Sequence, residues 1–169
     1  MLELITSYYK LTTIHMIIYI GADHRGFKMK EKLKAFLDEK GYPVFDLGAL
    51  SYDDADDYPD FAELVAKKVS ETPEESAGVL MCGSGAGVCV TANKFKNVRA
   101  ALAYSSEQAK AARLHDHINV LCLASDYITN EEAAQITVDW LNTPFSQEGR
   151  YLRRLKKIND IESKWGREK

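Results

Sequence analysis

Three groups of side chains in this sequence have the chemistry to carry a reaction. Cys82 closes the apolar run Gly78-Val79-Leu80-Met81, and Gly83, Gly85 and Gly87 follow it at alternate positions. In α/β proteins, ligands sit beyond the carboxyl ends of strands. Glycines there let bare backbone N–H groups close on an anion, and a thiol beside such a loop and a helix start is placed to react. Asp23-His24 follows a second apolar run, Ile17 to Ile20, whose tip would open onto the same edge as Cys82 in a doubly wound sheet. His115-Asp116-His117 offers acid/base groups that need a companion, and Cys82 and Asp23 qualify. Each group also has a plainer reading. A glycine-rich turn can be purely structural, and a cysteine can be a small packed apolar residue. Asp23 can cap a helix beside a surface His24, and residues 115–117 can be a polar loop.

Other chemistries fit poorly. The dinucleotide fingerprint is GxGxxG with an acidic residue about 20 positions on; here the third glycine comes one residue early, and Ala103 stands twenty after Gly83. A P-loop needs Gly-Lys followed by Ser or Thr, which is absent. Two histidines two apart with one aspartate and no partner motif make a poor metal site. The aspartates at 53, 54, 56, 57 and 60 miss the calcium-loop spacing and read as a solvated loop. Arg150 and Arg154 are four apart, share a helix face, and could clamp a phosphate between them. A solvated basic face, with Arg153, Lys156 and Lys157, is the alternative.

The elements that must position these groups alternate. Strands are expected over residues 17–20, 43–47, 77–82, 99–103 and 118–123. Helices are expected over 27–40, 59–70, from the glycine loop to about 94, 105–114, 129–141 and 148–165. Phe27, Leu33, Phe36 and Leu37 form the apolar stripe of the first helix, with Lys28, Lys30, Lys32 and Lys34 facing water. Ser105 with Gln108, and Thr129 with Glu132, read as capping boxes. The alternation predicts an α/β, doubly wound, Rossmann-like, five-stranded parallel sheet with helices on both faces and an extra C-terminal helix. On that last helix Leu152, Leu155, Ile158 and Ile161 share a stripe, which packs either on its own domain or on a neighbouring subunit. One domain covers residues 16–165. Residues 1–15 read as an N-terminal extension: either Met16 is the natural start or the segment is a real arm.

The bulk numbers bound the function. A net charge of −3 argues against a nucleic-acid or membrane-surface role, and the apolar runs are too short to span a bilayer. The 46% hydrophobic and 28% charged content suits a soluble globular protein. Three cysteines, an odd count without a CxxC pair, fit a reduced, cytoplasmic setting.

Together the ordered motifs resemble one family. They are Gly21-Ala22-Asp23-His24-Arg25-Gly26-Phe27, Asp57-Tyr58-Pro59, Cys82-Gly83-Ser84-Gly85-Ala86-Gly87, Ala92-Asn93-Lys94, Arg99-Ala100, His115, Asn119-Val120, and Gly149-Arg150 with Arg154. The match, from Met16 to about Arg154, resembles ribose-5-phosphate isomerase B and its relatives, which include the galactose-6-phosphate isomerase subunits. The resemblance implies an aldose–ketose isomerase of sugar phosphates that needs neither metal nor organic cofactor. It implies Cys82 as the base, His115 as the acid of ring opening with Asp23 beside it, and Ser84 hydrogen-bonded near the thiol. The backbone of Gly83, Ser84, Gly85, Ala86 and Gly87 would hold the enediolate oxygens. Tyr58, Asp116, His24, Arg150 and Arg154 would line the substrate, the last three at its phosphate. It further implies a homodimer or homotetramer with sites at the subunit interface.

Three positions depart from the family pattern. Asp116 stands where asparagine is common. Ala124-Ser125-Asp126 stands where Gly-x-Arg is common, so one phosphate arginine is missing. Tyr151 stands where histidine is frequent. Arg25 or Arg153 is placed to compensate. Some relatives use a carboxylate further along the glycine loop, but Val88 onward is apolar here, which leaves Cys82. The expected reaction interconverts ribose 5-phosphate and ribulose 5-phosphate. The alternatives are a six-carbon substrate such as galactose or allose 6-phosphate, and a sugar-phosphate-binding module without catalysis.

Overall fold

A computed structural model describes residues 16–166; the reading of residues 1–15 lies outside them. Five strands alternate with helices: β1 (Ile17–Ala22), α1 (Phe27–Glu39), β2 (Val44–Asp46), α2 (Tyr58–Glu71), β3 (Ser76–Cys82), α3 (Ala86–Ala92), β4 (Ala100–Leu102), α4 (Ser106–Asp116), β5 (Val120–Ala124), α5 (Asn130–Leu141) and α6 (Gly149–Trp165). All pairings are parallel, in the order β2-β1-β3-β5-β4.

Side chains on a strand alternate between faces, and β3 shows what each face buries. Ala77, Val79 and Met81 join a core with Met29 and Leu33 of α1, Ala109 of α4, and Ala133, Ile136 and Trp140 of α5. Leu80 and Cys82 join the opposite core, with Val65 and Val69 of α2 and Val88 and Ala92 of α3. The chain therefore leaves β1 in one direction with α1 on the first face, and leaves β3 in the other direction with α3 on the second. That reversal opens a crevice between the carboxyl ends of β1 and β3, the place where doubly wound sheets bind ligands.

The doubly wound class holds, and differences from the expected elements are local. α3 stops at Ala92 because Asn93 folds back as a clip: its amide donates to the Cys89 and Ala100 carbonyls and accepts from Ala100 N–H. The Thr129–Glu132 capping box is complete. At the start of α4, Ser105 accepts from Gln108 N–H, while the Gln108 side chain accepts from Tyr104 N–H instead of closing the box. Lys30 does not face water. It lies on the buried side of α1 with Met29 and Leu33, 0% exposed, and its ammonium donates to Asp46 Oδ2 at 2.6 Å and to the Ala49 carbonyl at 2.8 Å. A buried lysine survives only when paired in this way.

α6 is the least covered element. Tyr151 alone is buried, while Leu152, Ile158, Ile161 and Trp165 stand 42%, 41%, 60% and 73% exposed. No described helix is long and apolar enough to cross a membrane.

Candidate active site

The first half of the candidate site lies at the carboxyl edge. Met81 pairs with Ala22 and Cys82 with Ala124, so Asp23, Cys82 and Ser125 meet across three adjacent strand tips. Cys82 is buried, and Gly85 N–H donates to its Sγ at 3.2 Å. Gly85 caps α3 with φ +72°, and a Cβ there would press on Leu102 and the Leu123 carbonyl, so the turn requires glycine. At Gly87 a Cβ would strike the Tyr58 ring, so that ring lies flat on the start of α3. Ser84 is exposed, and its Oγ accepts from Ala86 N–H at 3.3 Å; the group on the thiol is the Gly85 amide. The N–H groups of Gly83, Ser84 and Gly87 find no acceptor among the described residues. They are donors for an anion's oxygens. α3 has only seven residues, so these loop donors, more than a helix macrodipole, set the local field.

The tip of β1 is built by carboxylates. Asp23 is buried, and its Oδ1 accepts from the N–H groups of Arg25 and Gly26 at 3.0 Å each, turning the chain into α1. His24 gives both its backbone N–H and Nδ1 to Asp56 Oδ1, at 2.8 Å each. That hydrogen bond raises the histidine's pKa above its ordinary value; burial opposes it and Asp23 adds to it. The Arg25 guanidinium reaches Asp126 Oδ2 at 2.5 Å and lies directly over Gly83. Ser125 Oγ lies within hydrogen-bond distance of the Arg25 and Cys82 carbonyls, at 3.0 and 3.1 Å. The tips of β1, β3 and β5 are thus laced together inside one chain.

The second half lies elsewhere. His115 and Asp116 do not follow α4, as expected from sequence, but form its last turn. α4 runs back from the tip of β4, so it ends at the amino edge of the sheet. There His117, whose backbone carbonyl takes Arg99 Nε at 2.8 Å, lies 3.8 Å from Glu74, just before β3. His115 stacks on Tyr151, ring centroids 4.5 Å apart and planes 9° from parallel. Arg150 and Arg154 lie over the same tyrosine at 4.5 and 5.9 Å. Asp116 is exposed beside them. His117 belongs to the scaffold: it stacks on Phe145, and burial together with Arg113 and Arg99 pushes its pKa down. The seven residues of β3 span roughly 20 Å, so Cys82 and His115 of one chain face opposite edges.

The structure therefore gathers Asp23, His24, Tyr58, Cys82, Gly83, Ser84, Gly85, Ala86 and Gly87 at one edge, and His115, Asp116, Arg150 and Arg154 at the other. Asp56 and Ser125 escaped sequence reasoning. Asp56 sits in an acidic run whose spacing marks no member, and Ser125 makes its contacts only once β3 and β5 are paired. No three His, Cys, Asp or Glu side chains among the described residues are grouped to hold a metal ion.

Known proteins share this sequence pattern and this fold. The sequence model described as Ribose/Galactose Isomerase matches residues 18–158. The probable ribose-5-phosphate isomerase B of Mycoplasma genitalium is 46% identical over 141 residues, covering 83% of this chain and 92% of the relative. A crystal structure of ribose-5-phosphate isomerase B from Mycoplasma genitalium with bound ribulose-5-phosphate superposes with a TM-score of 0.84 at 45% identity, covering 87% of this chain and 96% of that one. The Clostridium thermocellum ribose-5-phosphate isomerase B superposes with a TM-score of 0.83 at 37% identity, covering 89% and 99%.

Proposed function

Because the chain belongs to the ribose/galactose isomerase family, we propose that it interconverts ribose 5-phosphate and ribulose 5-phosphate through an enediolate, in sites each completed by two chains. The observation that carries this reading is the Cys82 thiol in the β1/β3 crevice, with Gly85 N–H on its sulfur and unpaired loop N–H groups beside it. In the forward direction Cys82, as thiolate, takes the proton from C2 of the open-chain aldose. The electron pair forms the C1–C2 double bond, and the charge moves to the carbonyl oxygen at C1. The thiol then returns the proton to C1, a proton moves from O2 to O1, and the ketone stands at C2. Preorganised donors at such an oxygen are worth roughly 2.7–4 kcal/mol each.

The furanose ring must open first, which needs an acid at the ring oxygen. A histidine, with an ordinary pKa of about 6.5, suits that step. His115 faces the wrong edge to serve Cys82 of its own chain. A second copy supplies it, together with Arg150 and Arg154 for the phosphate. The uncovered stripe Ile158, Ile161 and Trp165, beside a groove of about 1090 Å³ that also includes Phe95, Val98 and Ile118, gives that second copy an apolar surface. This assembly adds two arginines to a carboxyl edge whose own guanidinium, that of Arg25, is neutralised by Asp126.

Purified protein assayed on ribose 5-phosphate, with allose and galactose 6-phosphates in parallel, tests the reading. Turnover of the pentose phosphate in excess of both hexose phosphates is expected. Preference for a hexose phosphate overturns the substrate, and ligand binding without turnover overturns the reaction.

A further inference from the structure

The acidic loop between β2 and α2 is more than a solvated connection. Asp53 closes its turn: Oδ1 accepts from Ala55 N–H at 3.0 Å, and its carbonyl accepts from Asp56 N–H at 3.3 Å. The Asp56 side chain adds nothing to that turn. It reaches across to His24, 32 residues away in sequence, and takes both the backbone N–H and Nδ1 on one oxygen. Its other oxygen, Oδ2, is buried and has no hydrogen-bond partner among the described residues. A carboxylate that merely stapled a loop would spread its oxygens over backbone donors. Leaving one dry and unpaired is unfavourable. The arrangement makes sense when the carboxylate is there for its charge, beside one imidazole. Asp56 is 10% exposed, so water screens that charge little.

We propose that Asp56 is a positioning residue for the isomerase reaction, fixing His24 with Nδ1–H committed to the loop and Nε2–H free at the carboxyl edge, as a cation that meets the anionic oxygens of the bound sugar phosphate. This rests on the function proposed above and adds a residue outside the catalytic loop and the terminal helix. The charged groups acting on His24 are Asp56 from the loop and Asp23 from its own strand tip, and both favour the imidazolium. Tyr52 sets its ring edge-on against the imidazole at 6.3 Å and brings no charge of its own. The Asp56 hydrogen bond is the largest influence, so removing its charge returns the histidine towards neutrality. The sign follows: the cation is fully present below the ordinary histidine value and is lost as pH rises through the raised one.

Asp56→Asn keeps an oxygen for the His24 backbone N–H while deleting the charge. The wild type and the variant are titrated without substrate by NMR of the imidazole Cε1–H, assigned with His24→Gln, and KM and kcat for ribose 5-phosphate are measured at pH 6 and pH 8. The expected result is a lower His24 midpoint in the variant. KM at pH 8 should rise on the order of tenfold, as for one lost charge-assisted hydrogen bond, with kcat moved less. At pH 6, where the histidine is protonated again, KM should return to within about twofold of wild type. A merely structural aspartate would not show that low-pH rescue. In a His24→Gln background Asp56→Asn should change KM no further. An unchanged midpoint, a KM rise equal at both pH values, or a double variant worse than His24→Gln overturns the proposal. Should the protein prove inactive on ribose 5-phosphate, the proposed reaction fails by itself. The Asp56 proposal is then decided by the midpoint and by inorganic phosphate, which must shift the His24 resonance in wild type and less in the variant.

Discussion

The two edges of the sheet hold their functional residues in different ways. At the carboxyl edge, Asp23, His24, Arg25, Cys82 and Ser125 are tied by hydrogen bonds between strand tips and to the Asp56 and Asp126 carboxylates. At the amino edge, His115, Arg150 and Arg154 gather on the face of Tyr151, the one buried residue of a helix whose apolar stripe stands open. The first arrangement is complete within one chain. The second stands open: His115 and the arginines lie against Tyr151, and Arg150 pairs with the exposed Glu148 beside it. Under the proposed two-chain site, base and acid are encoded on opposite sides of one domain, and association would bring them together.

The strongest way to break this comparison separates the two edges genetically. Cys82→Ala should lower kcat by a factor of 10³ or more, as loss of the reacting base does, with an unchanged melting temperature and circular dichroism. His115→Ala should also fail, through ring opening. Mixing the two dead variants after subunit exchange should restore about a quarter of wild-type activity, because half the dimers are mixed and each has one complete site of two. No recovery would mean that His115 serves Cys82 of its own chain. Next, Ile158→Asp with Ile161→Asp should give monomers by sedimentation that have lost isomerase turnover while Cys82 stays as protected from alkylation as in wild type. An active monomer would sink the two-chain site.

A third variant probes the rigidity of the carboxyl edge. Lys30, Lys34 and Asp46 pin β2 and the start of its following loop to α1. Lys30→Met leaves Asp46 half-buried with one partner fewer, and removing one member of a buried pair costs about 3–5 kcal/mol. Burial pushes the Asp46 carboxyl up, but the Lys30 and Lys34 hydrogen bonds more than offset that and hold it below its ordinary range. Its contribution is therefore full above the ordinary carboxylate value and is lost as pH falls through the lowered folded value. Chemical denaturation at pH 7 and pH 3 should show the wild-type advantage over Lys30→Met shrinking in acid. Hydrogen exchange should loosen residues 44–57 and leave α4 and the start of α6 unchanged; uniform loosening would show that the two edges are not independent.

The sheet, its helices and the Cys82 loop were legible because each rests on local pattern: apolar runs of strand length, capping residues, and glycines after a strand. The site's division was not. His115 and Asp23 look alike in sequence, a titratable residue beside an apolar run. Only the direction of α4 sends one to the far edge. Lys30 was read as solvated because lysine at a stripe margin is normally exposed; its partner Asp46 lies 16 residues on. Asp56 was hidden among like neighbours, and the partner that distinguishes it is 32 residues upstream. Asp126 was noticed as a missing cation, but that its carboxylate would hold Arg25 over Gly83 depends on the β1–β3–β5 order.

That last pair gives the smallest expected effect. Arg25 and Asp126 are 57% and 38% exposed, so their ion pair adds little to folding. Their position over the glycine loop matters for a dianionic substrate. As found, the pair sums to no charge. Arg25→Ala leaves Asp126 as a bare anion beside the loop, so KM for the sugar phosphate should rise about threefold at low salt and converge on wild type at high salt. Asp126→Asn frees the guanidinium and removes the repulsion, so KM should fall by a similar factor of about three. The double variant should lie between them, with kcat little changed throughout, since neither side chain is hydrogen-bonded to the thiol or to the loop N–H groups. If neither single variant moves KM, the pair lies beyond the substrate's reach. The phosphate is then held by the amino-edge arginines of the second chain together with His24, and the Arg25–Asp126 pair serves only to tie the β1 and β5 tips.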